Sequence, residues 1–259
     1  MILIVFLVCL GASLVGSICG IGGGVIIKPL LDAMQIMSTS QISFLSGCTV
    51  LCMSAYSVIS SFKKGSGSTP IQANTVLALA VGAGVGGVAG KFLFKTISNG
   101  SALVGVVQST CLLALLLGTF IYTLFEKRIR THRIESRAVS ALIGLFLGFF
   151  SSFLGIGGGP FNLVILSFFF SMDTKTAAKH SLVIILVSQL ASLAYSLLSH
   201  SIPSVSLFML AVMAMGGIGG GVLGRMANRR LSGEGVHRLF LIITLVIIGI
   251  CVYNITCIV

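Results

Sequence analysis

The chain alternates long apolar runs with short polar stretches, and the runs carry almost no charge. Eight runs stand out, approximately residues 2–31, 40–62, 71–95, 101–125, 138–171, 180–200, 203–224 and 237–258. A bilayer core of roughly 30 Å needs about 20 apolar residues per helical crossing, so each run predicts a membrane helix. Barrel strands would show segments of about ten residues with apolar and polar positions alternating, which these runs lack. The pattern predicts an all-α polytopic membrane protein of eight hydrophobic helical segments.

The runs also repeat. "GIGGG" occurs at Gly20 to Gly24 and again at Gly155 to Gly159, an offset of 135 positions. The stretch from Met37, "MSTSQISFLSG", aligns at the same offset with "MDTKTAAKHSL" from Met172, which sets Ser46 opposite Ser181. Further on, Gly82, Gly86, Gly87 and Gly90, followed by Lys91, match Gly216, Gly220, Gly221 and Gly224, followed by Arg225. Gly118 and Tyr122 then match Gly249 and Tyr253. Four anchors in one order indicate a duplication: a first four-segment repeat over 1–125, a basic linker over 126–137 and a second four-segment repeat over 138–259. Internal repeats of this kind recur in secondary transporters.

Composition agrees with a membrane protein. Hydrophobic residues make up 56% and charged residues 8% of the 259, against about 25% charged in soluble domains. The net charge of +11 suits cytoplasmic loops, where Lys and Arg collect, better than a nucleic-acid surface, and no nucleic acid is expected as a partner. The seven cysteines lie scattered in apolar runs without zinc spacing, so neither a disulfide nor a metal is expected. No basic residues precede the first run, which leads into the motif that the second half repeats. It therefore reads as part of the mature fold rather than as a cleaved signal.

Charge also bears on topology. If all eight segments cross, the sixteen basic residues divide seven against nine. If the first segment of each repeat breaks at its glycines and returns to the side it entered from, thirteen share the linker's face and only Lys28, Lys91 and Lys95 lie opposite. Each repeat then crosses three times and the two are inverted. Positive residues favour one face of a membrane, so the expectation is a broken or re-entrant first segment in each repeat, with both termini on the side away from the linker.

The glycines carry the candidate chemistry. Non-helical backbone inside a membrane is tolerated only where protein buries it or water lines it, and amides released at such breaks can bind an anion. Asp32, Glu126, Glu135, Asp173 and Glu234 all fall in loops or at segment ends. Cation and proton pathways commonly use intramembrane carboxylates, so a neutral or anionic substrate is favoured. The expected substrate region comprises Gly20, Gly22, Gly23 and Gly24, Gly155, Gly157, Gly158 and Gly159, and the nearby polar residues Gln41, Ser46, His180 and Ser181. Thr49, Lys28, Asn162, Lys179 and Gln189 lie close to them in sequence. The glycines at 84–90 and 216–224 read as helix-packing positions.

"GIGGGVIIKPLL" and the second "GIGGG", each opening a four-segment repeat, resemble the TauE/SafE sulfite exporter family, also called the 4-toluene sulfonate uptake permease family. The resemblance extends over the whole chain. It implies a multi-pass cell (inner) membrane exporter or permease for small sulfur-containing or organic anions such as sulfite or sulfonates, working by alternating access, with no enzymatic activity and no cofactor. Its partners would be that small anion and membrane lipids. Pro29 matches the family's proline after the first motif, whereas the second half has Val164 there and Pro160 earlier. Leu45 and His180 stand before the two serines where the family has a small polar residue.

Two readings compete with transport. An intramembrane serine hydrolase needs a base positioned against its nucleophile, but His180 and Ser181 are chain neighbours, which point in different directions on a helix. The other reading is a non-transporting membrane assembly partner.

Overall fold

The computed structural model describes residues 2–62, 73–98 and 104–258. Lys63 and Lys64, and the segment starts at 71–72 and 101–103, lie outside the described residues. Among the described residues the chain forms ten α-helices and no strand: α1 (Ile2–Cys19), α2 (Gly24–Met34), α3 (Thr39–Phe62), α4 (Ala73–Ser98), α5 (Val104–Phe125), α6 (Arg137–Phe153), α7 (Pro160–Phe170), α8 (Thr174–Leu198), α9 (Leu207–Arg230) and α10 (Gly233–Ile258). A single 3-10 turn, Glu126–Arg128, follows α5.

Eight apolar runs become ten helices because the first and fifth split at their glycines, into α1 with α2 and α6 with α7. Seven helices (α1, α3, α4, α5, α8, α9 and α10) are long and apolar enough to cross a membrane, while α6 and α7 are shorter apolar helices. The breaks have matching backbone causes. Gly20 and Gly22 have φ of 72° and 76°, and Gly155 and Gly157 have φ of 66° and 71°, left-handed values that a helix cannot contain and that glycine adopts without steric cost. The returning helices α2 and α7 also end alike, on left-handed Gln35 and Ser171, each at φ 51°. The two broken segments thus match in their caps as well as in their glycines.

The glycine stripes fix how the helices run. Gly216, Gly220 and Gly224 of α9 lie in turn against Phe6, Leu10 and Leu14 of α1. Gly82, Gly86 and Gly90 of α4 lie in turn against Ala141, Leu145 and Phe149 of α6. Each pair is parallel and packs backbone to backbone, as small residues permit. The first helix of each half is therefore held by the third apolar segment of the other half. Gly217, Gly221 and Arg225 of α9 meet Thr49, Met53 and Ser57 of α3, so α3 is parallel to α9 as well.

Since α1 and α3 both run with α9, the chain must turn back between them, and α2 does this. Val5, Cys9 and Ala12 of α1 pack with Ile27 and Leu31 of α2. In the second half, the His132 and Ile134 amides before α6 donate to the carbonyls of Phe168 and Phe169 at the end of α7, at 2.7 and 3.0 Å, which brings the two ends of that hairpin together. The start of α3 meets the loop after α8, where Gln41 Nε2 donates to the Ser204 carbonyl at 2.6 Å. At the opposite end, Arg225 donates to the Ser57 and Ser60 carbonyls of α3, and Lys175 Nζ donates to the Leu231 carbonyl at 2.7 Å.

Asp173 caps α8 by accepting from the Thr176 amide at 3.2 Å. Its partial burial pushes the carboxyl pKa up, but the hydrogen bonds from Thr176 and adjacent backbone prevail and hold it below the ordinary carboxylate value. Large apolar side chains such as Ile121, Leu142, Leu207 and Ile242 are exposed on outer faces, the arrangement that a surrounding apolar medium stabilises.

Candidate functional site

The two glycine breaks meet. A Cβ on Gly24 would overlap the Ile156 carbonyl oxygen and lie 2.8 Å from Ser46 Oγ. One on Gly22 would lie 3.7 Å from the Gly157 carbonyl oxygen, and one on Gly158 would lie 3.4 Å from that of Ile21. Val50 of α3 and Ile185 of α8, which are equivalent in the two halves, both touch the junction. Gly20 packs against Ala178 and Gly155 against Ser43, again equivalent positions. Both half-helices, α2 and α7, begin at this junction, and the first amides of a helix have no partner within it.

The backbone here is only partly satisfied. The Ile21 amide donates to the Gly16 carbonyl at 3.1 Å, and the Ile156 and Gly157 amides share the Ser151 carbonyl at 3.3 Å. Among the described residues, the amides of Gly22, Gly23, Gly158 and Gly159 have no hydrogen-bond partner. Several hydroxyls surround them. Ser13, Ser43 and Ser46 are buried against the motifs and Ser151 near the end of α6, while the buried Ser152 faces Gly87 of α4; none of their Oγ atoms has a partner. A Cβ on Gly23 would lie 2.8 Å from Ser13 Oγ, and one on Gly155 would lie 2.6 Å from Ser43 Oγ. Buried polar groups are normally paired, so a cluster of unpaired donors around two helix N-termini is arranged to receive acceptors.

The residues expected from sequence distribute unevenly. The eight glycines and Ser46 gather at the junction. Ser181 is fully buried and accepts from Asn162 Nδ2 at 3.3 Å. His180 is half-buried and flanks the α8 face that carries Ala177, Ala178 and Ser181. Gln41 lies apart, at the start of α3, where its Oε1 accepts from the Ser38 amide and its Nε2 ties down the Ser204 carbonyl. Thr49 donates back to the Leu45 carbonyl at 2.8 Å, a local bond within α3.

Sequence reading missed Ser13, Ser43 and Ser151. Ser43 lies three positions before Ser46 and so shares its helix face, a spacing that could have flagged it. Asp32 falls at a segment end, as the sequence suggests, in the last turn of α2. Its side chain is only 9% exposed and 3.7 Å from Lys28 Nζ. This carboxylate is thus largely buried and paired, at the end of α2 away from the break.

The chain's relatives agree with one another. A family model described as sulfite exporter TauE/SafE matches residues 5–251. The chain is also similar to the probable membrane transporter protein YunE of Bacillus subtilis (strain 168), at 25% identity over 268 aligned positions covering 95% of each chain. No solved structure matches.

Proposed function

The chain belongs to the sulfite exporter TauE/SafE family and is a multi-pass membrane transporter rather than an enzyme, and from that premise we propose that it moves a small oxyanion, sulfite or a sulfonate, through the junction of its two glycine breaks. The observation carrying this reading is the cluster of unpaired amides and buried unpaired serine hydroxyls at Gly22, Gly23, Gly158 and Gly159, Ser43 and Ser46. Amides and hydroxyls suit a tetrahedral or pyramidal anion with several acceptor oxygens. Helix N-termini add a favourable field.

In the observed state the two motifs touch, so a substrate could enter only when the hairpins α1–α2 and α6–α7 part. Because each hairpin is clamped to a helix of the other half, parting on one side draws on contacts shared by both. This supports alternating access in two repeats, residues 1–125 and 138–259, joined by the basic linker. Gln41 bonding to Ser204, and Arg225 to the end of α3, support repeats that run in opposite directions. In that arrangement the linker face is cytoplasmic and carries Arg128, Arg130, Arg133, Lys175, Lys179, Arg229, Arg230 and Arg238, as expected from the preference of basic residues for that side.

Single cysteines at Gln35 and Lys179, both exposed, test this topology in a background without other cysteines. A membrane-impermeant thiol reagent is expected to label Gln35→Cys from outside and Lys179→Cys only after permeabilisation. Labelling of both from one side would contradict the inverted arrangement. Met172 is unsuitable as a probe because it is only 5% exposed.

Ser46→Ala tests the site itself. Its hydroxyl has no partner to lose in the resting fold, so thermal stability should hold or rise. A hydrogen bond to an anion is worth about 1.5–3 kcal/mol, so the apparent affinity for sulfite should fall about tenfold or more. Proteoliposome flux at graded sulfite concentrations reads this, and unchanged affinity would remove Ser46 from the site.

A further inference from the structure

One buried polar cluster belongs to the first hairpin alone. Lys28, 3% exposed, sits one turn into α2 with its Nζ 3.7 Å from Asp32 Oδ2 and donates to Gln108 Oε1 of α5 at 2.5 Å. Gln108 Nε2 in turn donates to the carbonyl of Phe153, the last residue of α6 before the second glycine motif. Asn254 of α10 reaches the next residue of α2, its Nδ2 donating to the Pro29 carbonyl at 2.9 Å. A chain of polar contacts thus runs from the first hairpin to the edge of the second break.

The repeat provides an internal control. At the offset of 135 the partners of Lys28 and Asp32 are Leu163 and Ser167, and α7 makes the same kind of hairpin with them. The ion pair is therefore not required to build this architecture. Burying two charges is costly even when they pair, so their presence in one half needs another cause.

Geometry supplies one. Lys28 is four residues from Gly24, about 6 Å along the helix axis. The ammonium reaches the second break through Gln108, whose amide nitrogen holds the Phe153 carbonyl at its edge, while Asp32 lies one turn farther along α2. Resting on the reading of the junction as an anion site, we propose that Lys28 is a second anion-binding station, between the junction and the face bearing the chain termini, and that Asp32 is its built-in competitor. Without substrate the carboxylate neutralises the ammonium. An oxyanion leaving or approaching the junction displaces the carboxylate and takes the Lys28 charge, while Gln108 holds the side chain in place. Because only one half has this station, it makes the two faces of the transporter unequal.

The competitor arrangement gives the two charges opposite signs in a binding experiment. The full chain in nanodiscs is titrated with sulfite and with methanesulfonate by calorimetry, alongside thermal unfolding. Lys28→Leu, which installs the residue of the second half, is expected to weaken binding about tenfold. Asp32→Ser, which likewise installs the second half's residue, is expected to tighten binding several-fold. Added sulfite should also raise its melting temperature more than that of the wild type, since the anion restores a partner to the buried ammonium. The double variant should resemble Lys28→Leu. If Lys28→Leu does not accumulate as folded protein, Lys28→Met carries the same expectation.

Weaker binding in Asp32→Ser, or unchanged binding in Lys28→Leu, would overturn the station. A Ser46→Ala variant that loses affinity while Lys28→Leu does not would overturn it and leave the junction reading intact. A wild type that binds neither anion would overturn both.

Discussion

Replacing Gly24 by alanine is expected to abolish transport and to destabilise the fold by about 3 kcal/mol, at the upper end of overpacking costs. The added Cβ would overlap the Ile156 carbonyl oxygen, lie 2.7 Å from the carbonyl carbon and 2.8 Å from Ser46 Oγ. The nearest atoms are backbone of the opposite motif, which no rotamer change can move aside. One methyl group would therefore wedge apart the two breaks that form the proposed site. Gly118 and Gly249 provide the contrast, as a Cβ at either meets nothing within 4 Å. Both lie inside helices, so alanine there should be neutral or stabilise by about 0.5–1 kcal/mol, with flux retained. Thermal unfolding and sulfite flux measured on all three variants check the contrast. If Gly24→Ala behaves like Gly118→Ala, the two motifs are not in contact in the working protein.

The second large effect concerns the clamps between the halves. Gly86→Val and Gly220→Val are expected to destabilise by about 3 kcal/mol or more each, enough to prevent folded protein from accumulating in the membrane. A Cβ at Gly86 would overlap the Leu145 carbonyl oxygen and lie 2.8 Å from the Phe149 amide nitrogen. At Gly220 it would overlap the Leu10 carbonyl oxygen and lie 2.7 Å from the Leu14 amide nitrogen. These positions match in the two glycine stripes, and each sits where the third apolar segment of one half grips the first helix of the other. Their losses should therefore be similar in size. The neighbouring glycines discriminate this from a general intolerance of bulk. Gly84 faces only side chains, with Val187 Cγ1 at 3.5 Å, and Gly219 faces only Leu10 Cδ1 at 3.8 Å. Gly84→Ala and Gly219→Ala should therefore accumulate normally. Fluorescence-detected size-exclusion chromatography of the four variants reads the pattern.

Much of this architecture was legible in the sequence because it rests on local chemistry. Apolar run length pointed to the helical class, and "GIGGG" announced the breaks because left-handed backbone at Gly20, Gly22, Gly155 and Gly157 asks for glycine. The glycines at 84–90 and 216–224 mark close helix packing in the sequence, and Gly86, Gly90, Gly216, Gly220 and Gly224 do pack backbone to backbone, although the sequence does not name their partners. Which helix meets which is decided by contacts far apart in sequence, such as Leu10 with Gly220, and no periodicity encodes them. The exchange of first helices between halves was invisible for that reason.

Polar residues were harder to read. Gln41 and Ser46 lie five positions apart in similar surroundings, yet one ties down a loop and the other is buried at the junction. Asp32 stands at a segment end, just past the last apolar residue Leu31 and two residues before α2 ends. It is buried because α2 turns back into the protein and pairs it with Lys28. Ser13 and Ser151 resemble ordinary small residues of membrane helices, and only the approach of a glycine break turns them into candidate ligands.

In the proposed mechanism the paired breaks bind and pass a small oxyanion through amides and serine hydroxyls. Sulfite flux into proteoliposomes containing purified wild type or the double variant Ser43→Ala, Ser46→Ala, whose hydroxyls have no partner to lose, tests this most directly, with melting temperatures measured on the same preparations. Saturable flux is predicted in the wild type, with a fall of about tenfold or more in the double variant at low sulfite and both proteins equally folded. Equal flux from the two proteins, or no flux of sulfite or methanesulfonate in the wild type, would contradict it.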